Sequence, residues 1–441
     1  MIYNSVIDMI GQTPMLKIPA DVHGLKHIDV YAKLEYMNPY GSVKDRIAYG
    51  LMKDHVEEMK NTGKKPVIVS NANTAKAVSG ISHYLGLQPY IVSNKMPYKE
   101  VRNQLKFLGA EIEELPALTQ CPNPFDPNDM IQYAERMVNQ SPDKFHLIDQ
   151  FGDSNNPKIH FETTGKEIYD DLGDVDYFFA VLGTSGTTLG AGNYLREKNP
   201  QTKVFGVITE TGHNAPGGRS KSEMWEVGIF NPDHYDEIIA GTKQQATAGM
   251  RELNSKCGVM CGPTGGLGYH RMLEKLREID KGLNGEKRHK AVFIACDRME
   301  PYMDYVQKAC PEMFEEKPSN QLRVQTLPSD KVQNAPSVDA EGLMQMFESD
   351  TKPLVVDTRG AFGYSIGHIQ GSINIQDTFL EQMLDNGKPF PQNQPIVFAC
   401  MRGDVSTRFA AFAREQGYEA YSLSCGVGAF VQFYDAKKAV A

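Results

Sequence analysis

From Ile2 to about Pro311, short apolar runs alternate with amphipathic stretches, a pattern that predicts repeated strand–helix units around a parallel sheet. The apolar runs are Pro66–Ser70, Tyr90–Val92, Tyr177–Leu182, Lys203–Ile208 and Ala291–Ala295. Helical periodicity lies between them over Ala75–Leu85, Glu100–Leu108 and Leu189–Glu197. Between about Cys310 and Ser337 the pattern dissolves into Pro-, Asn- and Glu-containing sequence, which predicts a linker over 311–336. Alternation then restarts on a smaller scale. A helix at Ala340–Phe347, strands at Pro353–Asp357 and Pro395–Ala399 and a helix at Val405–Gln416 predict a second α/β domain over 337–441.

Composition supports packed, multidomain globular structure. The chain has 441 residues, 41% hydrophobic and 23% charged, too long for one core and ordinary for folded proteins. Met1–Gly11 lacks a basic stretch followed by an apolar run, and no apolar segment is long enough to span a bilayer. With 7 cysteines, an odd and sparse set, the expectation is a cytoplasmic protein with reduced thiols. A net charge of -9 gives no general attraction to nucleic acid and leaves small-molecule chemistry as the reading. Cys257 and Cys261 have no second Cys or His pair at zinc-site spacing, so no metal ligand is assigned.

Two local segments carry candidate chemistry in the first part. Glu35–Arg46, E-Y-M-N-P-Y-G-S-V-K-D-R, delivers Lys44 at the start of a helical pattern. Flanked by Ser42, Asp45 and Arg46, that lysine taken alone reads as solvated. Gly183-Thr184-Ser185-Gly186-Thr187-Thr188 follows an apolar strand and opens a helix, so small residues, hydroxyls and a helix N-terminus suit a phosphate there.

Further segments join these two: Ile10-Gly11-Gln12-Thr13-Pro14, Ser70-Asn71-Ala72-Asn73-Thr74, Gln150-Phe151, Asn156-Pro157-x-x-His160 and Cys261-Gly262-Pro263-Thr264-Gly265-Gly266. Together they resemble the cysteine synthase and cystathionine β-synthase family, the fold type II pyridoxal-phosphate enzymes. The resemblance implies an α/β domain over 1–310 with a smaller subdomain at roughly 45–145, pyridoxal 5'-phosphate as cofactor, and a homodimer. It implies that Lys44 forms the imine with the cofactor and serves as base. Gly183, Thr184, Ser185, Gly186 and Thr187 would hold the phosphate, Asn73 would meet the ring hydroxyl, and Thr264 would face the ring nitrogen. Ser70, Asn71, Thr74 and Gln150 would bind the amino-acid substrate. A hydroxyl at the ring nitrogen makes a weak electron sink, which favours loss of a β-substituent to an aminoacrylate over transamination. The loop at 70–75 departs from the family's T-S-G-N-T-G, with Asn71 for Ser and alanines at both glycine positions. Each added Cβ narrows the approach of backbone donors to a carboxylate, so an altered first substrate or pose is expected.

In the second domain, Asp357-Thr358-Arg359 and Gly367-His368-Ile369-x-Gly371-Ser372-Ile373-Asn374 resemble the rhodanese-like sulfurtransferases. After the strand Pro395–Ala399 comes Cys400-Met401-Arg402-Gly403-Asp404-Val405-Ser406, a thiol at a strand end before a helix N-terminus. Inward N–H groups and the cation of Arg402 would stabilise a thiolate or persulfide, making Cys400 a sulfur carrier. Cys296 and Cys425 are read as structural, Phe430 as a conservative replacement for Trp, and His368 as a turn anchor. The leading expectation is β-replacement on a serine- or cysteine-derived amino acid, with sulfur carried on Cys400. The alternatives are a cysteine lyase that donates sulfur, β-replacement with an amine or cyanide, and an inert scaffold.

Overall fold

The computed structural model describes residues 2–94, 96, 99–116, 129–314 and 323–440. The chain divides into two compact units, one of Met1–Leu115 with Asp129–Val306 and a second that runs on from Gln307.

The first unit holds two sheets. Six strands, β1 (Met15–Ile18), β2 (Ile28–Lys33), β7 (Tyr177–Val181), β8 (Lys203–Thr209), β9 (Glu237–Gly241) and β10 (His289–Ile294), lie in the order β1-β2-β10-β7-β8-β9. Only β1 is antiparallel to its neighbour. Both faces of the central strands β7, β8 and β10 are covered, which is why these read as apolar runs. Phe179, Phe205, Val207 and Phe293 face Leu267, Met272 and Leu276 of the helix Pro263–Asp280. Their neighbours Phe178, Val204 and Val292 pack on the opposite side with Ile168, Ala191 and Leu195.

The smaller sheet is all parallel: β3 (Lys65–Val69), β4 (Tyr90–Asn94), β5 (Glu111–Leu115) and β6 (Phe145–Leu147), in the order β5-β4-β3-β6. Ile68 and Ile91 pack against helices α1 (Lys44–Met52) and α2 (Asn73–Tyr84) through Ile47, Leu51, Val78 and Ile81.

The second unit is a five-stranded parallel sheet in the order β11-β15-β14-β12-β13, formed by Ser337–Val338, Ala420–Leu423, Ile396–Ala399, Leu354–Asp357 and Ile373–Asn374. Part of the stretch read as linker belongs to its core. Val324 and Leu327 are each 1% exposed and pack with Phe390 and Phe412. Two apolar anchors in an otherwise polar stretch create no periodicity, so the pattern hides them.

A buried ionic network fixes where the first unit begins. Arg46, 1% exposed, grips Glu35 through Nε at 2.7 Å and Nη2 at 2.8 Å, and meets Glu167 at 2.6 Å and 2.7 Å. Thr13 Oγ1 donates to Glu35 at 2.6 Å, and Lys33 Nζ reaches Glu167 at 2.9 Å and the Thr13 carbonyl at 2.6 Å. Arg46 holds both carboxylates below their usual range against the burial that would raise them. Removing one partner of such a group strands a buried charge, at a cost of about 3–5 kcal/mol. Arg46→Met therefore lowers the melting temperature of this unit by many degrees, a shift that calorimetry on the purified chain measures directly.

Candidate active site and the Cys400 loop

In open parallel sheets, side chains that act on ligands gather at the carboxyl ends of the strands. Here that edge assembles a cleft, part of it open to solvent. Lys44 at the start of α1, Asn73 at the start of α2, Gly183 and Thr187 after β7, and Thr264 line it. So do Cys296 and Asp297, which follow β10, and of these Asp297 was not singled out in the sequence. Cys296, read as structural, stands in the cleft instead. Both sit past a strand end, as Ser70 and Gly183 do, and that position is the signal that would have found them.

Lys44 Nζ lies 4.0 Å from the point a Cβ on Gly183 would occupy. Burial pushes its pKa down, against the opposing charge of Asp297, so the amine spends more time neutral. Burial raises Asp297 to about 6 and the Cys296 thiol to about 12.

The glycine-rich turn is held from behind. Asn156 Nδ2 donates to Thr184 Oγ1 at 3.0 Å and to the Gln150 carbonyl at 2.8 Å. His160 meets Thr187 Oγ1 at 3.2 Å and Thr164 Oγ1 at 2.8 Å, and burial keeps its imidazole neutral. Ser185 adopts φ 64°, a left-handed conformation that a non-glycine residue holds at a cost, directly before the helix Gly186–Lys198. Its Oγ is buried without a hydrogen bond, while the neighbouring Tyr235 hydroxyl bonds to Thr188 at 2.8 Å. Gly183 is needed because a Cβ there would meet the Gly217 carbonyl at 2.6 Å. An orphaned hydroxyl, a strained cap and a helix N-terminus fit an anionic phosphate.

Asn73 Nδ2 donates to Asp297 Oδ2 at 2.7 Å and to Tyr302 at 3.0 Å, so Asp297 orients the amide, while Asp297 Oδ1 is left without a partner. Thr264 stands beside both Asp297 and Cys296. In the 70–74 loop, Thr74 Oγ1 donates to Gln150 Oε1 at 2.8 Å and Gln150 Nε2 to the Val69 carbonyl at 2.8 Å. Ser70 lies in this turn, its Oγ accepting from Ala72 N at 3.3 Å, and Asn71 is exposed at its tip.

In the second unit Cys400 ends β14, 5% exposed. Gly403 N points at its Sγ from 3.1 Å, Ser406 Oγ lies at 3.5 Å, and the thiol faces Asp404 Oδ1 at 3.4 Å. Gly403 has φ 96°, and a Cβ there would strike the Ser424 carbonyl at 2.7 Å, so only glycine closes this loop onto the helix Asp404–Glu415. Met401, Arg402 and Val405 complete the turn. Behind it Arg359 forms a bidentate pair with Asp357 and caps the Gly367 carbonyl at 2.7 Å. His368 is exposed, stacked on Tyr364 at 4.0 Å and bonded to its carbonyl, as a turn anchor is. Phe430 is buried in the core.

The first unit thus defines a strand-edge lysine cleft fitted to a phosphate-bearing aldehyde, and the second a loop built around a thiol. Residues 6–297 match the family model of the pyridoxal-phosphate dependent enzymes, and residues 339–432 that of the rhodanese-like domain. The chain belongs to the pyridoxal-phosphate dependent enzymes and carries a C-terminal rhodanese-like domain. It is 31% identical over 262 residues to cysteine synthase B of Escherichia coli (strain K12), covering 58% of this chain and 82% of that protein. It is 28% identical over 293 residues to an O-acetylserine dependent cystathionine beta-synthase of Bacillus subtilis (strain 168), covering 64% and 92%. The crystal structure of a hydrogen sulfide-producing enzyme from Fusobacterium nucleatum superposes with TM-score 0.59 at 27% identity, over 69% of this chain and 99% of that one. No described helix is long and apolar enough to cross a membrane.

Two outcomes follow from this geometry. Gly183→Ala keeps the fold but loses bound cofactor at least tenfold more readily on dialysis, read from the cofactor absorbance, because the added methyl displaces the Gly217 carbonyl. Asp404→Asn removes the carboxylate facing Cys400 and accelerates alkylation of that thiol by iodoacetamide several-fold, read by mass spectrometry of the Cys400 peptide.

Proposed function

We propose that the chain catalyses a cysteine synthase-like β-replacement on an O-activated serine, with sulfur delivered by way of Cys400. The observation that carries this reading is the buried Lys44 amine beside the phosphate-fitted turn, in a chain that also presents a thiol among inward donors. Ser185, Thr187 and the N–H groups of the turn would hold the cofactor phosphate, Asn73 its ring hydroxyl, and Thr264 its ring nitrogen. The bound cofactor supplies the electron sink that lets an α-proton leave and a β-substituent depart.

Lys44 takes the proton from the substrate Cα once its amine is free, and returns it when the product forms. Ser70, Asn71, Thr74 and Gln150 position the substrate carboxylate. Gln150 holds the loop in shape and keeps one amide proton for the ligand, since Nε2 gives only one of its two to Val69. Cys400 attacks the outer sulfur of a thiosulfate-type donor, forms an S–S bond and releases sulfite. A cellular thiol then reduces this persulfide to sulfide and is itself oxidised to a disulfide. The sulfide bonds to the β-carbon from which acetate or phosphate has left. Two copies pair as a homodimer in the cytoplasm.

A second reading, cysteine cleavage with release of sulfide, is favoured by the likeness to the hydrogen sulfide-producing enzyme. The two separate when purified holoenzyme is mixed in turn with O-acetylserine, O-phosphoserine, serine and cysteine while the cofactor absorbance is followed. The proposal expects a rapid change with an O-activated serine that Lys44→Ala abolishes. A change with cysteine alone, accompanied by free sulfide, makes the enzyme a lyase and overturns it.

A further inference from the structure

Away from the cleft, three side chains of the first unit converge at the outer edge of its smaller sheet. His55 leads into the short helix Val56–Thr62, Glu58 stands in that helix's first turn, and His146 is the middle residue of edge strand β6, paired with Pro66 of β3. One ligand atom from each lies within 4.8 Å of the others, the only such group of three or more among the described residues. His55 Nδ1 is 3.9 Å from Glu58 Oε2, and the two imidazole rings sit 4.3 Å apart at a tilt of 40°.

The setting suits a cation. His55 is partly buried, and so is His146, whose imidazole brings a second nitrogen donor beside the Glu58 carboxylate. Glu58, Lys64 and Asp153 are the charged groups that act on His146. Lys64 Nζ sits 2.7 Å from Glu58 Oε1, so a positive charge already occupies the place where a metal ion would neutralise the carboxylate.

We propose that His55, Glu58 and His146 bind one zinc ion, with water in the remaining coordination position. Two imidazoles and a carboxylate are a donor set that zinc favours, at bond lengths of about 2.0–2.2 Å. Ligand atoms on such an ion stand closer together than 4.8 Å, so the side chains close by rotation. His55 and Glu58, 37% and 45% exposed, have the room to do this. The ion clips the turn that follows α1 to the strand that runs on into Gln150. It therefore steadies the segment that carries Lys44 and the one that carries Gln150, without entering the chemistry at Lys44. This inference is independent of the reaction proposed above.

The test is calorimetric titration of chelator-treated holoenzyme with zinc chloride, repeated on Cys400→Ser to remove the contribution of that thiol. The expected result is one equivalent bound at micromolar affinity or tighter. His55→Ala and His146→Ala each weaken it by at least about tenfold. Lys64→Gln, a surface change that removes the competing charge, tightens it. Saturating zinc raises the melting temperature of the parent protein and leaves that of His146→Ala unmoved. Absence of saturable binding, or binding unchanged in either histidine variant, overturns the proposal.

Discussion

The grip of Arg46 on Glu35 and Glu167 is the interaction on which the first unit depends. It joins the turn before α1, the chain's opening through Thr13, and a helix more than a hundred residues on, around one fully buried guanidinium. Two cations and two carboxylates balance, so the low-dielectric interior tolerates them only as a set. Lys44 lies two residues before Arg46 on the same helix. The clamp therefore fixes the direction in which the amine enters the cleft, and burial of that neighbourhood is what pushes the amine's pKa down.

Everything else in the cleft is placed by strand ends. The parallel order β10-β7-β8 brings the Gly183 turn beside the Asp297 segment, and the start of α2, after β3, supplies Asn73. Asp297 then acts at one remove. By accepting from Asn73 and Tyr302 it sets which way the Asn73 amide faces. The second unit solves a related problem with the same physics: a strand end, a glycine in the left-handed region and a helix N-terminus point donors at Cys400.

What was legible in the sequence was local. The Gly183–Thr188 turn, the Lys44 segment and the Cys400 loop each carry their chemistry within a few consecutive residues, and the central strands β3, β4, β7, β8, β10, β12 and β14 appear as apolar runs. What was hidden was non-local. Ser42, Asp45 and Arg46 make Lys44 look solvated, yet all three are buried, and Arg46 finds its partner Glu167 in a distant segment. Asp297 and Cys296 follow an apolar strand without any motif, and His55 and His146 meet only because β6 lies at the sheet edge. Val324 and Leu327 join a core through two positions that no period announces.

The proposed reaction requires that Cys400 feed sulfur to the chemistry at Lys44. The most direct measurement supplies O-acetylserine with thiosulfate as the sole sulfur source and a thiol reductant, and assays cysteine by mass spectrometry. Parent protein and Cys400→Ser are compared, with free sulfide as a parallel donor. The account predicts that both proteins make cysteine from sulfide but only the parent makes it from thiosulfate. Equal rates from thiosulfate in the two proteins, or no cysteine from sulfide in either, would contradict it.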